Sequence, residues 1–396
     1  MTATTRTPPH FFTLILLAGL SVGTLNLFLP SLANISAEFG ADYALVNLSV
    51  AGYAIVTAAL QLVLGPLSDR FGRRPVMLWG LIVFVLASLG CMVAPDVWSF
   101  LVCRMAQGVI VAGYTVSMAV IRDTAPEQKA ASLIGYLAMA YAIAPMLAPT
   151  LGGALDELFG WRASFVLLFA LGLALLALCW VDLGETNAAP SPTLARQFHA
   201  YPELLRSRQY WGFALCMAFS TGAFYAFLGG APLVAATVFA MSPGTLGVWL
   251  GTITAGFVLG SFLAGRFSGR HGLATMMIIG RLVACGGLSV GLAIVVAGIV
   301  TPPLLFGACV FVGIGNGITM PSCAAGAMSV RPSLAGTAAG LAGALTVAGG
   351  ALISGLTGAI LTPANAPQAL LAMMLGSSAL ALGAALYVRW LDRRVA

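Results

Sequence analysis

Charge is scarce in this sequence. Only 8% of its 396 residues are Asp, Glu, Lys or Arg, while 60% are hydrophobic; a soluble globular domain carries roughly a quarter charged residues. A soluble chain of this size needs far more charge to cover its surface. Composition therefore excludes a soluble enzyme, a disordered protein and a nucleic-acid-binding domain, and assigns most of the chain to lipid. Lysine occurs once, as Lys129, so the formal net charge of +6 is carried by arginine. The arginines sit in short loops between apolar segments, which removes the case for a nucleic-acid partner. His10, His199 and His271 are scattered without ligand spacing, so neither a metal site nor a cofactor is expected. The seven cysteines all lie inside apolar stretches. That odd number at such positions reads as small packing residues, not as a disulfide framework. No Walker-type phosphate loop and no Ser/His/Asp arrangement is visible, which argues against an enzyme and against a self-contained ATP-driven pump.

What is present is a succession of long apolar runs. A hydrocarbon core about 30 Å thick needs about 20 apolar residues per helix. Twelve segments meet that need: 11–33, 45–67, 75–95, 98–121, 130–154, 162–183, 209–231, 245–267, 273–299, 303–328, 334–361 and 367–390. Arg6 before the first run and Ser31-Leu32-Ala33 after it imitate a signal peptide, but eleven further runs favour an uncleaved first helix. Twelve spans put both termini on one side. That side receives 15 of the 18 basic residues, the other only Arg162, and Arg104 and Arg281 fall inside spans. The positive-inside rule then places both termini in the cytoplasm.

The longest polar stretch, 184–208, contains Pro190, Pro192 and Pro202 and separates six spans from six. It reads as a cytoplasmic linker between an N-terminal bundle, 1–183, and a C-terminal bundle, 209–396. The halves echo one another: Gly65-Pro66-Leu67-Ser68-Asp69-Arg70-Phe71-Gly72 follows the second span and Gly265-Arg266-Phe267-Ser268-Gly269-Arg270-His271-Gly272 the eighth. Two repeated six-helix halves imply a transporter with its site between them.

These residues resemble the major facilitator superfamily. Gly65 to Pro75, with Asp69, Arg70, Arg73 and Arg74, looks like its motif A, and Arg104-Met105-Ala106-Gln107-Gly108 is similar to motif B. Gly135, Ala144, Ala148-Pro149 and Gly152-Gly153 follow the spacing of motif C, with alanine replacing two of its glycines. Leu29-Pro30, Ile121-Arg122-Asp123 and Leu183-Gly184-Glu185-Thr186 are similar to the bicyclomycin/chloramphenicol resistance branch of drug:proton antiporters. The resemblance implies an all-α integral membrane protein of twelve helices in two six-helix pseudo-symmetric bundles. It also implies efflux of small amphipathic drugs by alternating access from a bacterial cytoplasm across the inner membrane, with protons as co-substrate and a monomeric state.

Physically, Asp69 among three arginines suggests a gate latch to Arg122 or a neighbouring helix end, the alternative being topology control by positive charge alone. Arg104, inside the fourth span, is costly in hydrocarbon and hence a functional candidate. Gln107 and Tyr114 share a face beside it and extend a polar cavity wall. The alternative is a snorkelling or strut arginine. None of the twelve acids falls near the middle of a span. Relatives often carry an acid just before the Leu-Pro of the first span; Asn26 stands there and cannot titrate. An acid-free cavity around Arg104 predicts neutral or anionic substrates. Asp123 is the first candidate proton carrier and Asp69 the second, both alternatively being permanent ion-pair partners. Pro145 and Pro149 are expected to kink the fifth span and Pro321 the tenth. Gly313, Gly315 and Gly317 read as loosening the helix around Asn316, which is either a substrate contact or a helix–helix bond. Tyr53, Tyr141, Phe224 and Tyr225 are aromatic wall candidates, with Ser220-Thr221-Gly222 as a break in the seventh span and Met320 as an adaptable neighbour. Trp98, Trp161 and Trp390 read as interface anchors. A competing function is a facilitator or exporter of one metabolite without carboxylate-based proton coupling.

Overall fold

Pro30 has no N–H to offer the Asn26 carbonyl four residues back, so the first span cannot run as one α-helix. In the computed structural model it consists of a helix Phe11–Asn26, a 3₁₀ turn Leu29–Ser31 and a helix Leu32–Phe39. The structure describes residues 9–125, 127–187, 201–267, 271–331 and 335–395; at several positions between 127 and 146 only the backbone is described. We label the broken first span α1 (Phe11–Phe39). It is followed by α2 (Tyr43–Phe71), α3 (Arg73–Val93), α4 (Val97–Thr124), α5 (Glu127–Phe159) and α6 (Arg162–Asp182). The second set is α7 (Arg208–Thr237), α8 (Pro243–Phe267), α9 (Leu273–Val296), α10 (Pro302–Ser329), α11 (Ala335–Ile360) and α12 (Ala366–Val395). A short helix, Tyr201–Leu205, precedes α7. Eleven of these spans are long and apolar enough to cross a bilayer by their described residues, and α5 completes the twelve-helix fold.

Helices α1–α6 pack mainly among themselves, as do α7–α12, and the two sets meet along α2–α11 and α5–α8. Among the described residues, three hydrogen bonds join the sets, all toward the face opposite the chain termini. The Tyr43 hydroxyl donates to the Gly229 carbonyl (2.6 Å), Asn47 Nδ2 to the Ser354 carbonyl (2.8 Å) and Thr150 Oγ1 to the Gly247 carbonyl (3.3 Å). Glycine lets backbones come this close. A Cβ on Gly153 of α5 would lie 2.2 Å from the Pro243 carbonyl oxygen of α8.

Several expectations change. The helix α7 runs unbroken through Ser220-Thr221-Gly222; the glycine there is a packing contact, with Ile353 of α11 filling the space of its absent side chain. Likewise α10 is continuous. Gly313 and Gly317 seat it against carbonyls of Ile253 and Phe257 in α8, and Gly315 against that of Gly280 in α9. Those glycines tighten the helix contacts and do not loosen the helix. The fifth helix continues to Phe159 instead of 154, carrying Asp156 into the fold. Both α5 and α10 remain helical through Pro145, Pro149 and Pro321. Trp161 is buried, stacked edge-on against Phe39, Phe100 and Phe165, and its indole N–H donates to Glu38 Oε2 (2.6 Å). It is a core residue; Trp98 and Trp390 stay exposed, as anchors must.

Candidate functional site

Two buried arginine centres and one cluster of ion pairs emerge. The first centre is Arg104, which has no exposed surface. It enters α4 seven residues after Val97, about 10 Å along the helix at 1.5 Å per residue. Its guanidinium lies 4.2 Å from the ring centre of Phe28 at the break in α1 and 4.5 Å from that of Tyr53 on α2. The cation is thus held between π faces, which stabilise charge where no water reaches. Nη1 donates to Gln107 Oε1 (2.5 Å), and Gln107 Nε2 donates to Ser88 Oγ of α3 (2.7 Å). A 3₁₀ segment, Gly108–Val111, follows Gln107 at once. Nε and Nη2 of Arg104 are buried with no hydrogen-bond partner. No carboxylate pairs with Arg104 among the described residues. The group is therefore a permanent cation with open donors.

Asn26 Nδ2 turns back to the Val22 carbonyl (2.8 Å), leaving a buried Oδ1 without a partner two residues before Phe28. Tyr114 is half-buried against the same core. Phe224 and Tyr225 form an edge-to-face pair on α7, with centroids 6.2 Å apart. Met320 is half-buried in a separate apolar cluster. For Tyr141 and Gly135 of α5 only the backbone is described. Pro149, Gly152 and Gly153 are buried at the α5–α1 and α5–α8 crossings, while Pro145 is half-buried.

The second centre joins two residues that the sequence placed inside spans without linking them. Arg281 on α9 is also fully buried. Its Nε donates to Thr319 Oγ1 (3.0 Å) and its Nη2 to Asn316 Oδ1 (2.8 Å), both on α10. Asn316 Nδ2 in turn donates to the Ser220 carbonyl of α7 (3.0 Å). Asn316 therefore ties three helices together through its amide. An arginine inside a span was the available signal, and its partners are spread over distant segments.

At the face that carries the termini, motif A closes on itself. Arg73 pairs with Asp69 one turn earlier and, through Nε, with Asp123 Oδ2 at the end of α4 (3.0 Å). Arg122 is exposed and forms no ion pair among the described residues. Asp69 therefore pairs with Arg73, within the same set of helices. Arg74 lies over Trp180 and donates to its carbonyl, while Arg70 stacks on Phe71. Glu185, just beyond α6, accepts from the backbone N–H groups of Arg73 (2.9 Å) and Arg74 (3.2 Å). It thereby satisfies two free donors at the N-terminus of α3. Gly72 has φ +97°, and a Cβ there would collide with that carboxylate. Asn187 Nδ2 donates to the Asp69 carbonyl (2.7 Å), so the chain leaving α6 is strapped over motif A. Glu185→Gln is expected to cost about 1 kcal/mol, the usual scale of a lost helix cap. A lowered unfolding temperature with unchanged substrate selectivity checks this.

One carboxylate is buried among the described residues, and it is neither Asp69 nor Asp123. Asp156, 7% exposed, sits on α5 beside the break in α1 and accepts from Asn34 Nδ2 (2.9 Å). No cation pairs with it among the described residues. Its place near the expected end of the fifth span disguised it as a loop residue.

Chains of this kind are known. Residues 11–355 match the Major Facilitator Superfamily family model, and the chain belongs to that superfamily of membrane transporters. It is similar to the Bicyclomycin resistance protein homolog of Haemophilus influenzae, at 27% identity over 87% of each chain. It is 29% identical to the Multidrug transporter MdfA of Edwardsiella piscicida over 66% of this chain and 64% of that one. Its fold matches a bacterial homolog to the human lysosomal transporter Spinster, in an inward-facing and occupied conformation. There the TM-score is 0.77 at 18% identity, over 98% of both chains.

Proposed function

We propose that this protein is a secondary active exporter of small amphipathic drugs, neutral or anionic and amphenicol-like, working by alternating access in exchange for protons. In this reading it is a monomer in a bacterial inner membrane with both termini cytoplasmic. The moving bodies are 1–183 and 209–396, joined by the linker 184–208. The observation that carries the reading is Arg104: a buried permanent cation between two aromatic rings, with two open donors and no carboxylate. Such a group recognises acceptor-rich or anionic molecules with an apolar body, and rejects lipophilic cations by like charge. The names of the resistance and multidrug relatives support drugs as the cargo. With the termini inside, the three hydrogen bonds that join the sets lie on the outer side, consistent with an inward-facing state.

Proton exchange needs a group that changes charge during the cycle. Asp69 and Asp123 are both engaged by Arg73, which favours them as structural ions of the gate. Asp156 is the better carrier: it is buried, has only neutral or acidic neighbours described around it, and lies where α1 and α5 meet near the outer closure. The test uses inverted vesicles with an acid interior and a lumenal pH dye. Adding an amphenicol should release protons, and Asp156→Asn should abolish that release while Asp123→Asn retains it. Radiolabelled uptake with no proton release in the unmodified protein would favour the second reading, a facilitator or metabolite exporter, which Asn26 in place of a titratable residue supports. Stronger transport of a quaternary ammonium dye than of an amphenicol would defeat the substrate class.

A further inference from the structure

Motif A supplies acids for its own arginines: Arg73 lies between Asp69 and Asp123, and Glu185 caps the helix that begins there. The C-terminal half has no such supply. Downstream of Arg208 the sequence contains a single carboxylate side chain, Asp392. It sits on the last turns of α12, exposed, and accepts a hydrogen bond from Gln209 Nε2 at the start of α7 (3.0 Å). Glu203, on the short helix before α7, is taken by Arg331 (3.1 Å).

That bond between α7 and α12 gathers arginines from both ends of the half. Arg208 precedes Gln209, and Arg393 follows Asp392. Arg389 stands one turn before Arg393 on the same side of α12. Arg206 is kept nearby by Trp211, whose indole N–H donates to the adjoining Leu205 carbonyl (2.7 Å). The two helices also touch directly, since a Cβ on Gly212 would lie 2.6 Å from Val388. Arg206, Arg208, Arg389, Arg393 and Arg394 are exposed, and none forms an ion pair among the described residues. Like charges four residues apart on a helix, such as Arg389 and Arg393, repel. The result is a compact patch of positive charge that the protein does not neutralise.

Its depth selects the partner. From Ala366 to Arg389 α12 rises about 35 Å at 1.5 Å per residue, more than a hydrocarbon core of about 30 Å. The last turns of α12 therefore stand among lipid headgroups. Aromatic rings mark the same level: Tyr387 and Trp390 stack with centroids 5.8 Å apart, and the Arg394 guanidinium lies 3.7 Å from the ring centre of Trp390. Such rings favour the membrane interface. A guanidinium fork matches two phosphate oxygens at once.

We propose that Arg389, Arg393 and Arg394 of α12, with Arg206 and Arg208 before and at the start of α7, bind the headgroup phosphate of an anionic phospholipid such as phosphatidylglycerol. The surface is distinct from the Arg104 centre and stands whether or not drugs are the cargo. Lipid that binds the folded state raises its stability by mass action. Full-length protein in detergent would be unfolded thermally while phosphatidylglycerol is titrated in. Zwitterionic phosphatidylcholine and inorganic phosphate, at matched ionic strength, form the other arms. We expect phosphatidylglycerol alone to give a saturating rise of about 1–3 °C at roughly ten times its dissociation constant, and the rise to shrink as salt is added. The combined change Arg389→Gln, Arg393→Gln and Arg394→Gln leaves polar side chains on an exposed helix end. It should raise the apparent dissociation constant about a hundredfold. If that variant does not fold, the pair Arg206→Gln and Arg208→Gln decides, with an expected weakening of about thirtyfold. An equal rise with phosphatidylcholine would place the lipid on the apolar belt and overturn the proposal. An equal rise with inorganic phosphate would make this a free-anion site and overturn it. An undiminished response to phosphatidylglycerol in the glutamine variants would move the site elsewhere, and would overturn it too.

Discussion

Arg104→Gln is expected to reduce amphenicol efflux at least about tenfold, the equivalent of 1.4 kcal/mol, without lowering the unfolding temperature. The two readouts should separate because of how Arg104 is held. The guanidinium touches Phe28 and Tyr53 and bonds to Gln107, yet leaves Nε and Nη2 without partners. A desolvated cation–π contact is worth about 2 kcal/mol, whereas burying an unpaired charge costs several. Neutralising the side chain removes that cost from the folded protein, so stability is held or raised, while the cargo loses its charged donor. A strut arginine behaves in the opposite way: its loss would lower unfolding temperature and efflux in proportion. Arg104→Lys refines the test. It keeps the charge over the rings but not the planar fork, so binding of anionic cargo should survive better than binding of neutral cargo that needs two donors.

Gly153→Ala is expected to abolish transport by opening the outer closure. The new Cβ would stand 2.2 Å from the Pro243 carbonyl oxygen, across the α5–α8 crossing. Main chain cannot swing aside as a side chain can, so the two helices must separate. Overpacking typically costs about 1–3 kcal/mol, enough to shift a balance between two conformations by about five- to 160-fold. Labels at Asp42→Cys and Thr362→Cys, near the outer ends of α2 and α11, would report the change in a background lacking the seven native cysteines. Their separation should lengthen in Gly153→Ala. An unchanged distance distribution with normal transport would show that this crossing is not a gate. Gly152→Ala supplies the contrast: its Cβ would meet the Leu27 carbonyl oxygen at 1.6 Å, within one set of helices. That change should lower the unfolding temperature and the folded yield, because the clash persists whichever way the two sets face.

The sequence by itself determined the membrane class, the twelve spans and the family. These depend on composition, on runs long enough to cross a bilayer and on charges sorted between loops, and all three are local properties of the chain. The break in α1 was legible too, since Pro30 removes a donor wherever it stands. Arg104 could be singled out because an arginine in hydrocarbon is conspicuous in any arrangement. Tertiary structure decided the partners. Nothing in the chain order announces that Phe28, Tyr53 and Gln107 surround one guanidinium, with Ser88 holding Gln107 from behind, for they come from α1, α2, α4 and α3. The same distance hid the triad of Arg281, Asn316 and Ser220 on α9, α10 and α7. It also hid Glu185, a family signal in the sequence that becomes the cap of α3 in space. Asp156 was misjudged because a helix end need not coincide with the end of an apolar run: the run stops where its polar residues begin, whereas α5 continues through Asp156 to Phe159. Trp161 was misjudged for the same reason, its span-edge position masking three aromatic neighbours and Glu38. Burial and pairing depend on contacts between distant segments, which only the folded chain brings together.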